Sequence, residues 1–209
     1  MRIQFGPPQA NTSPGIEPDA GQPIRQPGRW TSAILATLAG MVLLSVPVAV
    51  SIAYSVLFSD PEAESAFQKT AIPWAGILIF IILCIIAHKI LHALLHPGFG
   101  FTDSTVLFLG WKKLRFGVYY EGLIPRARWI AMRLIPLLVL TLLPLAAILI
   151  FFGRLTYAWE TYLIILILTN SLGSGGDLIA VAIVLRQVPA KGVLNFHRGR
   201  AYWLPADAG

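Results

Sequence analysis

Hydrophobic residues are concentrated in four long runs, which shorter and more polar segments separate. The runs cover residues 31–58, 71–95, 129–152 and 158–185. A helix needs about 20 apolar residues to cross the hydrocarbon core of a bilayer, and each run reaches that length. The pattern therefore predicts an all-α membrane protein with four transmembrane helices.

Composition agrees with this prediction and defines the domain boundaries. Of the 209 residues, 56% are hydrophobic and 12% are charged, whereas about 25% of the residues in an ordinary soluble domain are charged. Residues 1–28 are rich in proline, glycine and polar residues, which predicts a disordered cytoplasmic tail. We assign residues 29–204 to the membrane-embedded domain and residues 205–209 to a short C-terminal tail. The first run has no cleavage site near its end, so it is expected to remain as a span.

The positive charges indicate topology rather than nucleic-acid binding. The net charge is +6, and most of the basic residues precede span one, lie between spans two and three, or follow span four. Loops rich in lysine and arginine stay on the cytoplasmic side of a membrane. Both termini and the segment between spans two and three are therefore predicted to be cytoplasmic, and lipid is the expected surrounding partner.

The segment between spans two and three predicts a small cytoplasmic β-hairpin. Residues 105–109 and 114–120 have strand composition and flank a turn at residues 110–113. Such a hairpin could offer an edge to an extended peptide. It could equally be an interfacial flap that places Trp111, Tyr119 and Tyr120 at the level of the lipid headgroups.

Three of the four histidines lie close together at the end of span two. His88, His92 and His96 are spaced at i, i+4 and i+8, which places them one turn apart along one helix face. Imidazoles with this spacing can bind a single metal ion. Since Pro97 and Gly98 end the helix, His96 is expected to meet water, and we consider it an alternative ligand.

Span four contains a second polar group, in the sequence TNSLGSGGDLIAV. Asn170, Ser174 and Asp177 share one helix face, and the neighbouring glycines allow another helix to approach closely. An ionisable residue inside a membrane suggests a functional site. Two imidazoles from span two and the carboxylate of Asp177 would form the protein half of a tetrahedral zinc site. Asn170 and Ser174 are candidates for orienting a ligand or a substrate.

These motifs resemble a known family. The stretches HKILHALLHPG, FGVYYEGLIPRARW, NSLGSGGDLIAV and RGRAYW are similar, in this order, to elements of the putative zincin peptidases. Those are small multi-pass bacterial membrane proteins, distantly similar to site-2 intramembrane metalloproteases. The resemblance implies that His88, His92 and Asp177 bind zinc, that a transmembrane or juxtamembrane peptide is the substrate, and that the chain resides in a bacterial cytoplasmic membrane.

One position departs from the family pattern. A glutamate that acts as general base follows the first histidine in that pattern, whereas this chain has Lys89 at the position of the catalytic base. The chain is therefore predicted to be a zinc-binding membrane metallopeptidase homologue. A charged lysine cannot accept a proton, which favours a pseudopeptidase, whereas a lysine kept neutral by burial and by the field of the metal could act as the base. Glu121 is the nearby carboxylate that could replace the base. In the alternative interpretation Lys89 forms an ion pair with Asp177 in place of metal, in a non-catalytic membrane scaffold or client-binding protein. A small transporter is a further hypothesis, which rests only on the intramembrane polar residues.

Overall fold

Four helical stretches of membrane length lie among the residues that the structure describes, and one of them combines two α-helices. The computed structural model describes residues 2–5, 21–58, 74–110, 115–151, 154–155, 157–197 and 200–205. The helices are α1 (Arg29–Phe58), α2 (Trp74–Leu94), α3 (Arg126–Leu137), α4 (Leu143–Ile150) and α5 (Tyr157–Gln187). Stretches long and apolar enough to cross a membrane lie at Arg29–Val50, Ala75–Leu94, Arg126–Ile150 and Trp159–Gln187. The prediction of four spanning helices is confirmed by length and composition.

The third span is interrupted by a wider turn. A π-helical segment, Leu138–Leu142, separates α3 from α4, and Pro136 and Pro144 lie on either side of it. Proline has no backbone N–H, so each proline leaves the carbonyl four residues earlier without its helical donor. For Pro136 that carbonyl belongs to Met132, and it is therefore available to a side chain from another helix.

The two strands of the predicted hairpin pair between α2 and α3, and most of its predicted turn, residues 111–113, lies outside the described residues. Strands β3 (Thr105–Gly110) and β4 (Arg115–Tyr120) pair in antiparallel fashion, with Thr105 opposite Tyr120. Strand β1 (Arg2–Phe5) pairs with β3 in parallel, which gives the order β1-β3-β4. The cytoplasmic location of the hairpin stays a prediction.

A second small sheet was not predicted from the sequence. Its strands are β2 (Gln22–Pro23), β5 (Ile124–Pro125), β6 (Val193–His197) and β7 (Arg200–Leu204), in the order β2-β7-β6-β5. Strands β6 and β7 pair in antiparallel fashion, and Leu194 lies opposite Trp203. Strands β2 and β5 have only two residues each, and β6 and β7 have five residues each, so the sequence contains little local signal for this sheet.

At its described residues, the N-terminal segment differs from the disordered tail that its composition predicts. Residues 2–5 and 22–23 are strands that pair with β3 and β7, and Ile24 is only 7% exposed. The backbone of a short segment can pair with the edge of an existing sheet whatever its composition, and composition cannot reveal this. Residues 6–20 lie outside the described residues.

The chain divides into two compact units. One comprises residues 1–32, 89–135 and 178–209, and the other comprises residues 33–88 and 136–177. The first unit contains both sheets and a hydrophobic core in which Trp129, Met132, Val184 and Leu194 are buried. In the second unit α1 and α5 approach closely, because a Cβ on Gly175 would lie 2.5 Å from the Gly40 nitrogen.

This close approach predicts that adjacent glycines respond oppositely to alanine. A Cβ at residue 175 meets the backbone of Ala36 and Gly40, whereas a Cβ at residue 176 meets only Ala36 Cβ, at 3.8 Å. Gly175→Ala should destabilise the protein by about 1–3 kcal/mol because α1 must move away. Gly176→Ala should be neutral or slightly stabilising, since alanine favours helix over glycine. Thermal unfolding in detergent measures both, and equal effects would contradict the close approach.

Candidate metal centre

The ring of His88 lies between two polar residues of α5. His88 Nδ1 is 2.7 Å from Asn170 Oδ1, and His88 Nε2 is 3.2 Å from Asp177 Oδ2. Gly173 lies between them in sequence, and a Cβ there would be 3.9 Å from His88 Cε1. Gly173 therefore adjoins the imidazole, and a side-chain methyl at this position would be in ordinary contact with the ring. All three polar side chains are buried.

Asn170 determines which nitrogen of His88 carries the proton. The Asn170 amide nitrogen donates to the Pro136 carbonyl at 2.9 Å and to Thr141 Oγ1 at 2.8 Å. Since a carbonyl can only accept, the amide oxygen must face His88 Nδ1, and that nitrogen must be the donor. When the imidazole is neutral, it consequently directs the lone pair of Nε2 toward Asp177.

His92 is held in the same way by a backbone carbonyl. His92 Nδ1 lies 2.6 Å from the Met132 oxygen, which accepts the Nδ1 proton. This oxygen lacks its helical donor because the residue four positions later is Pro136. The lone pair of His92 thus also resides on Nε2. Hydrogen bonds of this kind, from the second ring nitrogen to an oxygen, fix the orientation of metal-binding histidines.

His88, His92 and Asp177 form a group that could hold a metal ion. One ligand atom from each residue lies within 4.8 Å of the others, and all three side chains are buried. In a tetrahedral zinc site, ligands about 2.0–2.1 Å from the metal lie roughly 3.3 Å apart, close to the 3.2 Å between His88 Nε2 and Asp177 Oδ2. A lone pair facing a carboxylate oxygen at this distance requires a cation or a proton nearby. The donor set therefore fits zinc.

Comparison with known proteins agrees with this geometry. Residues 81–193 match the model of a family described as "Putative zincin peptidase". The chain belongs to this family. No curated protein and no solved structure matches it. The match includes the two histidines of α2 and the carboxylate of α5, and the name of the zincin family points to zinc as the metal.

His96 lies apart from this group of ligands. Its Nδ1 is 3.2 Å from Thr105 Oγ1, and its ring is 5.5 Å from that of Tyr120. The side chain is 1% exposed, so the expectation that it meets water is wrong. Helix α2 ends at Leu94, and strand β3 then covers the following turn. His96 is better explained as a contact between that turn and β3 than as a zinc ligand of this family member.

The burial of His96 predicts a dependence of stability on pH. Burial, followed by the charges of His92, Arg128 and Arg133, lowers the pKa of His96 from 6.5 to about 4. Between these values the unfolded chain binds more protons than the folded chain, so stability should fall as the pH falls from 6.5 toward 4. Thermal unfolding at pH 7 and at pH 5 measures this fall. It should be smaller in His96→Gln, and an unchanged fall would contradict the assignment.

A cavity of about 130 Å³ lies beside His92 in the first unit. Its lining residues come from α2 and the turn after it, and from α3, β4, β5 and β6. They include Lys89, His92, Tyr120, Trp129 and Arg133. Lys89, which directly follows His88, therefore lines this cavity. Among the described residues, none that lines this cavity carries a carboxylate.

Glu121, the carboxylate nominated as a substitute base, has other partners. It forms an ion pair with Arg2, and Tyr119 Oη lies 3.5 Å from Glu121 Oε1. The Arg2 side chain also donates to the Asp103 carbonyl at 2.6 Å. Glu121 thus ties the N-terminal strand to the hairpin, and it is absent from the lining of the cavity.

The sequence indicated most, but not all, of this arrangement. It singled out His88, His92 and Asp177, which the structure groups as possible ligands, and Asn170, which contacts His88. Ser174 is buried on the same helix face, but no contact with the histidines is shown for it. The roles of Thr141 and the Met132 carbonyl were missed. The signal for the latter was present, because Pro136 follows Met132 by four residues.

Proposed function

We propose that this chain is a zinc-binding membrane member of the zincin peptidase family that binds peptides without hydrolysing them. His88 and His92 would hold the metal through Nε2, and Asp177 would hold it through a carboxylate oxygen. The observation that carries this proposal is the pair of Nδ1 hydrogen bonds to oxygen acceptors. These bonds direct both imidazoles as metal ligands do.

Zinc bound at such a site polarises a carbonyl oxygen or lowers the pKa of bound water. The chain would supply orientation and charge around it. Asn170 holds the His88 ring, and the Met132 carbonyl holds the His92 ring. Burial of the three ligands excludes bulk water and strengthens their interaction with a cation.

The proposal that hydrolysis is lost rests on Lys89. Peptide hydrolysis at such a centre needs a group that accepts a proton from water and returns it to the leaving amine. A lysine ammonium carries no lone pair for this transfer. Glu121 is engaged with Arg2, and the cavity lining offers no carboxylate among the described residues. The site would retain a peptide carbonyl without cleaving the bond.

A gain-of-function experiment tests the proposal. Lys89→Glu should create cleavage of a model transmembrane peptide in detergent or nanodiscs, whereas the parent protein should bind zinc and show none. A general base typically contributes about 10²–10⁴-fold in rate. Lys89→Gln is the matched control, because it removes the charge without supplying a base. Cleavage by the zinc-loaded parent chain at a rate comparable to that of Lys89→Glu would refute the pseudopeptidase assignment.

A further inference from the structure

The cavity beside His92 combines positive charge with an apolar wall. Lys89 and Arg133 line it, together with the aromatic or aliphatic side chains of Trp129, Met132 and Phe196. The Trp129 and Phe196 rings stack at 6.4 Å, and Arg133 Cζ lies 5.1 Å from the centre of the Trp129 ring. Two cations in a partly apolar enclosure favour an anionic group, since they attract it more strongly there than in open water.

The size of the cavity limits what can enter. Its volume of about 130 Å³ is similar to that of a cavity of about 150 Å³ that accepts a benzene molecule. One side chain of moderate size fits, whereas a folded domain does not. A carboxylate on a short aliphatic stem satisfies both the volume and the charge.

Strand β4, which borders the cavity, can form hydrogen bonds with the backbone of an extended peptide. Residues 117–120 of β4 line the cavity, and β4 is the outer strand of the sheet β1-β3-β4 among the described residues. An outer strand has N–H and C=O groups directed away from its sheet, and an extended peptide can pair with them. Gly117 itself is explained by internal packing, because a Cβ there would meet the Phe108 ring.

We infer that the cavity is a recognition site for a carboxylate side chain of an extended peptide that pairs with β4, with Lys89 and Arg133 as the cations that bind it. Lys89 would thus bind an anion at the position where the family pattern has a glutamate base. Arg133 is well suited to such a role because its guanidinium can bind a carboxylate through two parallel hydrogen bonds. This inference rests on the proposed function only in taking a peptide as the occupant.

Binding of matched peptides tests the inference with the full chain in neutral nanodiscs. The probes are a labelled valine- and threonine-rich peptide with one central glutamate, the same peptide with glutamine, and the glutamate peptide with N-methylated backbone amides. Fluorescence anisotropy should show the glutamate peptide binding roughly tenfold or more tightly than the glutamine peptide, since bonds to charged groups are the stronger ones. N-methylation should weaken binding to a similar degree.

Variants of Lys89 and Arg133 test whether these two residues cause the preference for the glutamate peptide. Lys89→Gln and Arg133→Gln should each remove most of the preference for glutamate, whereas Lys89→Arg should retain it. Equal binding of the glutamate and glutamine peptides, or no effect of N-methylation, would overturn the inference. Displacement of the labelled peptides by inorganic phosphate or by phosphatidylglycerol vesicles, without any preference between the glutamate and glutamine peptides, would also overturn it.

The zinc content of the same samples separates this inference from the proposed function. A glutamate preference in a chain that binds no zinc would support the inference while removing the proposed zinc function.

Discussion

Replacing His88 with alanine is expected to reduce the zinc content from about one ion per chain to almost none. In the proposed site His88 is one of three protein ligands, and its Nε2 lies 3.2 Å from Asp177 Oδ2. The variant would keep only two ligands, whereas zinc enzymes hold the metal with at least three protein ligands. Asp177→Asn should cause a similar loss, because the carboxylate charge offsets the dication. Elemental analysis of the purified protein measures both.

Two conservative variants serve as controls for the zinc measurement. Cys84 is buried one turn before His88 on α2, and His96 is buried beyond the end of that helix. Cys84→Ala and His96→Gln should each retain about one zinc ion per chain. Loss of zinc in either would mean that the ligand set differs from His88, His92 and Asp177. Absence of zinc from the parent chain would favour a scaffold in which Lys89 and Asp177 pair instead.

Replacing Asn170 with alanine is expected to weaken both the fold and the metal centre. Asn170 contacts His88 Nδ1, the Pro136 carbonyl and Thr141 Oγ1, and it is 3% exposed. Each buried polar group left without a partner costs about 1–3 kcal/mol, so a total loss of roughly 3 kcal/mol or more in unfolding free energy is expected. Loss of the hydrogen bond that orients a histidine ligand typically lowers metal affinity about 10–100-fold.

Leu172→Ala is the matched control on the same helix. Leu172 is 50% exposed, so its truncation should change unfolding free energy far less than that of Asn170 and leave zinc affinity unchanged. Thermal unfolding and competition with a zinc chelator, performed on the same preparations, measure the two effects. An Asn170→Ala variant with normal stability and normal zinc affinity would show that the network around His88 is unimportant.

The helices and the candidate ligands could be predicted because their signals are local. Four apolar runs of sufficient length define the spans, and helical spacing places His88 and His92 on one face. Asp177 was predicted to be functional because placing a carboxylate inside a membrane-spanning helix is unfavourable in free energy. The pairing of α2 with α5 was inferred from their ends lying on the same side, and the contact between His88 and Asp177 agrees with it.

The features that were missed depend on contacts between distant parts of the chain. Strands β1 and β2 lie in a segment whose composition predicts disorder, and they form through pairing with β3 and β7. His96 was expected to be solvated because a proline follows it, but the adjacent strand buries it. Glu121 was nominated as a substitute base, but it forms an ion pair with Arg2. The spacing of residues along the sequence does not predict these contacts, because the partners are far apart in the chain.

X-ray absorption spectroscopy of the zinc-loaded protein tests the central claim most directly. The spectrum should show only nitrogen and oxygen ligands at about 2.0–2.2 Å from zinc, two of them imidazoles. In His92→Ala it should show one imidazole fewer, or no zinc. A sulfur ligand near about 2.3 Å, or a spectrum that is identical in the parent and in His92→Ala, would contradict binding by His88, His92 and Asp177.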